Sequence, residues 1–487
     1  MGIKSTNMTK NLFLAAALLT LFAFCNPASA QVWTQLGDDM DGEAANDQSG
    51  FSVSMSADGQ IVAIGAPTNL GGFPSSAGHV RVYKLISGVW VQQGADIDGE
   101  AQGDRSGLCV SLSADGLSVA IGAPNNDGLA NNSGHVRVYK FISGSWAQQG
   151  ADIDGESNSD IFGESVSISA DGLTVAIGAP WNDNAGSQAG YVQVYKLISG
   201  NWEQQDIDIE GEAAGDISGT VDLSADGLTV AIGALGNDGN GTDAGHVRVY
   251  EFNTGVWVQL GTDIDGEAAG DNSGGSVSLS EDGLTVAIGA KWNDGSGQDA
   301  GHVRVYKFIS GNWVQQGDDI DGEAALDNSG SSVSISADGL RVAIGATQND
   351  GTADFAGHVR VYEFISGTWV QQGADIDGED EDDLSGRSVS LSADGLTVAI
   401  GAQANDGTGN NAGHVRVYSF GSSVGLVEND LFIKVSVFPN PNTGTVNIDL
   451  AGLKDVSIQV YNTFGQAVYH KPNISSGIHQ FELKEAT

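Results

Sequence analysis

Residues 107–149 read GLCVSLSADGLSVAIGAPNNDGLANNSGHVRVYKFISGSWAQQ, and the way this stretch alternates and turns decides the fold. Four short segments have the alternating or β-branched character of strands: Cys109–Ser113, Ser118–Ala123, His135–Phe141 and Trp146–Gln149, lettered A to D below. Asp115-Gly116 between A and B, and Ser143-Gly144 between C and D, are tight hairpin signals. The B–C connection, Pro124–Gly134, and the connection from D to the next A are long. No segment carries a helical period.

Reading outward, the unit repeats. Trp33, Trp90, Trp146, Trp202, Trp257, Trp313 and Trp369 recur every 55–57 residues. Gly-His-Val-Arg-Val-Tyr opens at Gly78, Gly134, Gly245, Gly301, Gly357 and Gly413, while the copy at Gly190 reads Gly-Tyr-Val-Gln-Val-Tyr. Four antiparallel strands repeated seven times specify a β-propeller rather than a helical solenoid. The chain opens its repeats on a D-type strand, Trp33–Leu36, and closes them on a C-type strand, His414–Phe420. The N-terminal strand is therefore expected to complete blade seven, removing two sheet edges. The fold class is all-β, with a seven-bladed propeller over 31–420.

Composition bounds the function. Lys and Arg number 20 against 62 Asp and Glu, a formal charge of −42, which excludes nucleic acid as a partner. Hydrophobic residues at 40% exclude a disordered acidic tail. Residues 1–30 join Lys4 and Lys10 to an apolar run, Leu12 to Phe24, and then Pro27-Ala28-Ser29-Ala30. That is the plan of a secretory signal peptide cut between Ala30 and Gln31, and it leaves no transmembrane span in the mature protein. After cleavage Cys109 has no partner for an intrachain disulfide.

Asp160-x-Phe162-Gly163-x-Ser165-Val166, then Val175-Ala176-Ile177-Gly178-Ala179-Pro180 and Gly190, resembles the FG-GAP repeat of the integrin α-chain propeller. The resemblance implies a binding propeller. The calcium loop that integrins insert between A and B is here only Ser-Ala-Asp-Gly or Ser-Glu-Asp-Gly, so that site does not carry over. Past a linker over 421–434, Val437-Phe438-Pro439-Asn440-Pro441-x-x-Gly444 and Val460-Tyr461-Asn462-x-x-Gly465-Gln466 resemble the type IX secretion C-terminal sorting domain. This implies a small β-sandwich over 435–487, the secretion machinery as a partner, and the outside or cell surface of a Gram-negative bacterium as the destination. The family's final Gly-x-Tyr strand is not reached before Thr487, so the domain reads as truncated.

The acids are patterned. Each D–A loop carries them at relative positions one, three, five and nine: Asp39, Asp41, Glu43, Asp47; Asp96, Asp98, Glu100, Asp104; Asp152, Asp154, Glu156, Asp160; Asp208, Glu210, Glu212, Asp216. The series continues with Asp263, Asp265, Glu267, Asp271; Asp319, Asp321, Glu323, Asp327; and Asp375, Asp377, Glu379, Asp383. Both long loops emerge on one face, so the charge is concentrated there. Two readings stay open: loops that wrap calcium, or acids that end strand D and cap the following turn. No cofactor other than calcium is suggested. The strand-C histidines and the repeated tryptophans read as blade packing. Trp181, Trp292 and Phe355 break the repeat within B–C loops and are candidate ligand contacts.

The expected function is non-enzymatic binding or adhesion through the acidic long-loop face, with an extracellular glycan, protein or cation as ligand. The alternatives are a structural or calcium-binding surface-layer component, and a propeller hydrolase or lyase. Near-identical blades argue against the last, since catalysis needs one asymmetric constellation.

Overall fold

The structure is a computed structural model describing residues 31–73 and 75–422, together with five strands of a C-terminal unit. The expected leader, with Ala30 of its cleavage pair, and nearly all of the linker lie outside the described residues. The chain divides into two compact units, Met1–Ser423 and Val424–Thr487.

In the first unit the strands form seven antiparallel sheets in the order A–B–C–D. In blade two these are Cys109–Leu112, Ser118–Ala123, His135–Ile142 and Ser145–Gln148. A fifth, two-residue strand, Ile153–Asp154, pairs back onto the start of C. Strand alternation explains it. Ile153 turns inward and is 4% exposed, so the acids on either side turn outward, beside the strand-C histidine. Blade seven is closed by the N-terminal strand Gln31–Gln35, with Trp33 opposite Phe420.

Strand B is buried along its whole length in almost every blade, because both its faces pack on neighbouring blades. The seven apolar clusters each straddle one blade junction. Ala120, Val136 and Val138 of blade two meet Val166, Ile168, Val175 and Ile177 of blade three. At the seam Ala399, Val415 and Val417 meet Val53, Met55, Val62 and Ile64. Each such side chain contributes about 1.5–3 kcal/mol when fully buried. The core thus belongs to pairs of blades, which makes the closed ring the folding unit. The invariant glycine of Ile-Gly-Ala permits the approach: a Cβ at Gly122 would collide with the carbonyl of Gly163, and one at Gly401 with that of Gly50.

Two rings of hydrogen bonds run round the molecule. At the A–B turns, Ala57 N–H donates to Ala114 O at 2.9 Å, Ala114 to Ala170, and so on through Ala225, Glu281, Ala337 and Ala393 back to Ala57. Further out, each repeated tryptophan donates its indole N–H to a carbonyl just after strand D of the preceding blade, as Trp146 does to Gln93 at 2.7 Å and Trp33 to Gln372 across the seam. These tryptophans were expected in the blade core. They are half-buried staples between blades, because the indole N–H needs an acceptor that the apolar interior lacks.

In the second unit, Ser436–Phe438, Thr445–Asp449 and Ile478–Glu482 form one sheet, and Val456–Tyr461 pairs with Ala467–Ile474 in another.

Candidate functional site

The D–A and B–C loops are bonded to each other on one face. Asn46 and Gln48 donate their N–H groups to Asn410 and Asn411, and Ser49 to Ala412. The four acids of a single loop do not meet there at one point; they separate by position.

Position nine turns inward. Asp47, Asp104, Asp160, Asp216, Asp271, Asp327 and Asp383 are each 2–3% exposed. Each accepts the N–H three residues before it, as Asp104 does from Ala101 at 3.0 Å. Asp104 also accepts Asn126 Nδ2 of the B–C loop at 2.9 Å. Position three lies in the two-residue strand opposite the start of C: Asp98 against His79, Asp154 against His135, Glu210 against Tyr191. Its backbone carbonyl takes a guanidinium from the next blade, Arg81 to Asp41 at 2.6 Å and Arg304 to Asp265 at 2.7 Å.

Positions one and five meet across two loops. Glu43, from the loop that leads into blade one, and Asp96, from the loop that leaves it, both face His79 of strand C. Glu100, His135 and Asp152 meet likewise, as do Glu212, His246 and Asp263; Glu267, His302 and Asp319; and Glu379, His414 and Asp39. The histidines are 1–2% exposed, and burial first, then the neighbouring arginine, holds them below the ordinary imidazole value. His358 is pushed down to about 4 in the same way. In blade three Tyr191 and Gln193 replace His and Arg, and Phe162 packs on Tyr191 with ring centroids 6.2 Å apart.

A second, asymmetric group lies at the axis. Strand A starts on the long-loop face, and the residue after its leading glycine differs in every well-aligned blade: Phe51, Leu108, Glu164, Gly275, Ser331, Arg387. Burial raises the Glu164 carboxyl, and Arg105, Trp181 and Arg387 pull it back. Burial lowers Arg387, whose guanidinium lies 4.4 Å from the Phe51 ring centroid. Lys291 is lowered by burial and then by Arg387, and its ammonium lies 4.9 Å from the Trp292 ring. Groups from blades two, three, five and seven can act on one another in this way only at the axis. Trp181, beside Glu164, and Trp292, beside Lys291, are 44% and 45% exposed and belong to this axial group, called the mouth below. Phe355, 42% exposed, sits at the far end of its loop in a left-handed turn (φ 53°) and does not share their position. The charged members were missed in the sequence, although one signal was present: in near-identical copies this position takes a different residue type almost every time, as does the B–C loop position held by Thr68, Asn125, Trp181, Gly236, Trp292, Gln348 and Ala404.

Residues 152–195 match the FG-GAP repeat family, and residues 436–485 match the Secretion system C-terminal sorting domain. The chain is an FG-GAP-repeat propeller joined to a secretion sorting domain. The repeat match spans the copy that holds Phe162-Gly163. The sorting domain assigns the FG-GAP propeller to type IX secretion, and so to the exterior or cell surface of a Gram-negative bacterium. Among curated proteins nothing matches. Among solved structures, a chain of Kuenenia stuttgartiensis Hydrazine Synthase is similar at 15% identity and a TM-score of 0.49, covering 80% of this chain and 98% of that one. That likeness is too weak to bear on activity. Among the described residues no helix is long and apolar enough to cross a membrane.

Proposed function

We propose that this propeller is a non-enzymatic extracellular binding module whose ligand, a glycan or protein segment bearing an anionic group, docks in the axial mouth of the long-loop face. One observation supports this above the rest: the residue that follows the leading glycine of strand A differs from blade to blade, and in three blades it places Phe51, Glu164 and Arg387 together with Arg105 and Lys291 at the axis. A scaffold alone would not need Arg105 and Arg387 beside a single carboxyl, Glu164, and Lys291 within reach of Arg387, in a protein of charge −42. Guanidinium groups recognise carboxylates and sulfates in a planar, two-pronged fashion. Exposed tryptophans beside them offer stacking faces to sugar rings or side chains. One carboxyl among cations, with no nucleophile beside it among the mouth residues named, suits holding a ligand better than hydrolysis or elimination.

The test is binding of the purified chain to an array of neutral, uronate and sulfated glycans and acidic peptides. Anionic members should be preferred, and Arg387→Ala or Trp181→Ala should weaken binding at least tenfold while leaving the melting temperature within a few degrees of wild type. Binding that ignores ligand charge, or survives both substitutions, would reject the mouth as the site.

A further inference from the structure

We propose that the Glu–His–Asp triads on the long-loop face are sites for a transition-metal dication of the zinc class, one ion per triad. The argument begins with the histidine. In the triads of His79, His246, His302 and His414 its side chain is 1–2% exposed, yet neither ring nitrogen makes a hydrogen bond within the protein. His79, His246, His302 and His414 each hold Nε2 buried without a partner. Nδ1 is aimed at the two carboxylates, but from too far to hydrogen-bond: His79 Nδ1 lies 3.9 Å from Glu43 Oε2 and 3.9 Å from Asp96 Oδ2. For His302 the distances are 3.9 and 3.8 Å, and for His414 they are 4.0 and 3.7 Å.

Three atoms so arranged, all within 4.8 Å of one another, share a point roughly 2.5 Å from each. Zinc bonds to nitrogen and carboxylate oxygen run about 2.0–2.2 Å, so a few tenths of an ångström of side-chain movement would complete the contact. The outer oxygens of both carboxylates are already held. Asp96 Oδ1 accepts Gln92 Nε2 at 2.6 Å, and Glu43 Oε1 faces Arg81 at 3.7 Å, leaving Oδ2 and Oε2 for the centre. Blade five repeats this with Gln315 on Asp319 and Arg304 on Glu267. Supporting donors of this kind fix the direction of metal-ligating carboxylates.

The donor set favours zinc, cobalt, nickel or manganese over calcium. It supplies one imidazole and two carboxylates, whereas calcium takes six to eight oxygens. The Glu and Asp members are partly exposed, and in blade one a cavity of about 350 Å³ opens on Glu43, His79 and Asp96, so water can reach the remaining coordination positions. Blade three is an internal control. There Tyr191 occupies the histidine position, and the Gln193 amide bonds to Asp208 at 2.9 Å, taking the place of a ligand with a neutral contact. Because the ligands come from two loops and a strand, no contiguous motif announces them.

The test uses the whole purified chain, stripped with EDTA and dialysed against zinc chloride in a large excess of magnesium, with bound metal measured by mass spectrometry. At least five zinc ions per chain should be retained, and cobalt in their place should give the visible absorption of a nitrogen–oxygen site. The double variant Glu267→Gln, Asp319→Asn alters only partly exposed side chains and should retain one ion fewer. A matched control, Glu203→Gln with Glu251→Gln, removes the same charge elsewhere and should retain the full number. Displacement of zinc by magnesium or calcium would reduce the binding to counterion condensation and overturn the proposal. So would equal loss in the triad variant and its control, or a cobalt spectrum indistinguishable from that of the free aquo ion.

Discussion

A carboxylate on this propeller takes its role from position in the loop. Asp104 is buried, accepts the Ala101 N–H and the Asn126 amide, and so ties the D–A loop to the B–C loop. Replacing it with alanine leaves the buried Asn126 amide without this partner, at about 1–3 kcal/mol, and frees the more exposed Ala101 N–H. Asp104→Ala should therefore lower the urea midpoint markedly, whereas Asp104→Asn, which keeps an acceptor, should recover part of the loss. Equal midpoints for wild type and Asp104→Ala would show that water satisfies these donors. Glu100 four residues earlier is about half exposed and lies 3.0 Å from the buried Arg137 guanidinium. Four acids that look equivalent in the sequence thus separate into a turn cap, a strand pair and members of two successive triads, because strand alternation and loop curvature point their side chains in different directions.

Among the elements, the N-terminal strand carries the closure. Gln31–Gln35 pairs along its length with the last strand of blade seven, Trp33 stacks against Phe420 at 5.0 Å, and its indole is bonded to Gln372 of blade six. Trp33→Ala should cost less than the about 3–5 kcal/mol of a fully buried aromatic, since Trp33 is half-buried, but should still lower the melting temperature measurably. Deleting residues 31–36 should cost more and promote association, since an edge of blade seven would be left open. Differential scanning calorimetry with light scattering checks both; a deletion variant that melts like wild type and stays monomeric would refute velcro-type closure. This seam was legible in the sequence from the order of strand types alone. The staple role of the tryptophans was not, because a spacing of 55–57 residues reports the repeat but not which neighbour the indole addresses.

For the molecule as a whole, the formal charge of −42 and an isoelectric point near 4.1 concentrate repulsion on one face. The folded state holds these charges closer together than the unfolded chain does. Raising simple salt shrinks the Debye length from about 30 Å at 0.01 M to about 3 Å at 1 M. In EDTA the melting temperature should accordingly climb by several degrees over that range, equally in sodium and potassium chloride. A flat profile would mean that the arginines and the position-nine hydrogen bonds already neutralise the face. A zinc-specific rise at fixed ionic strength would be additional, since a ligand stabilises only the state that binds it.

Local pattern determined the strands, the turns, the sevenfold repeat, the sorting domain and the closing strand, because hairpins and alternation depend on neighbours in the chain. Residues that meet across blades were decided only by the tertiary structure. Glu43, His79 and Asp96 come together from two loops and one strand, and Glu164, Lys291 and Arg387 from three different blades. A ring brings such groups together through its curvature, a property of seven packed sheets that no single repeat contains.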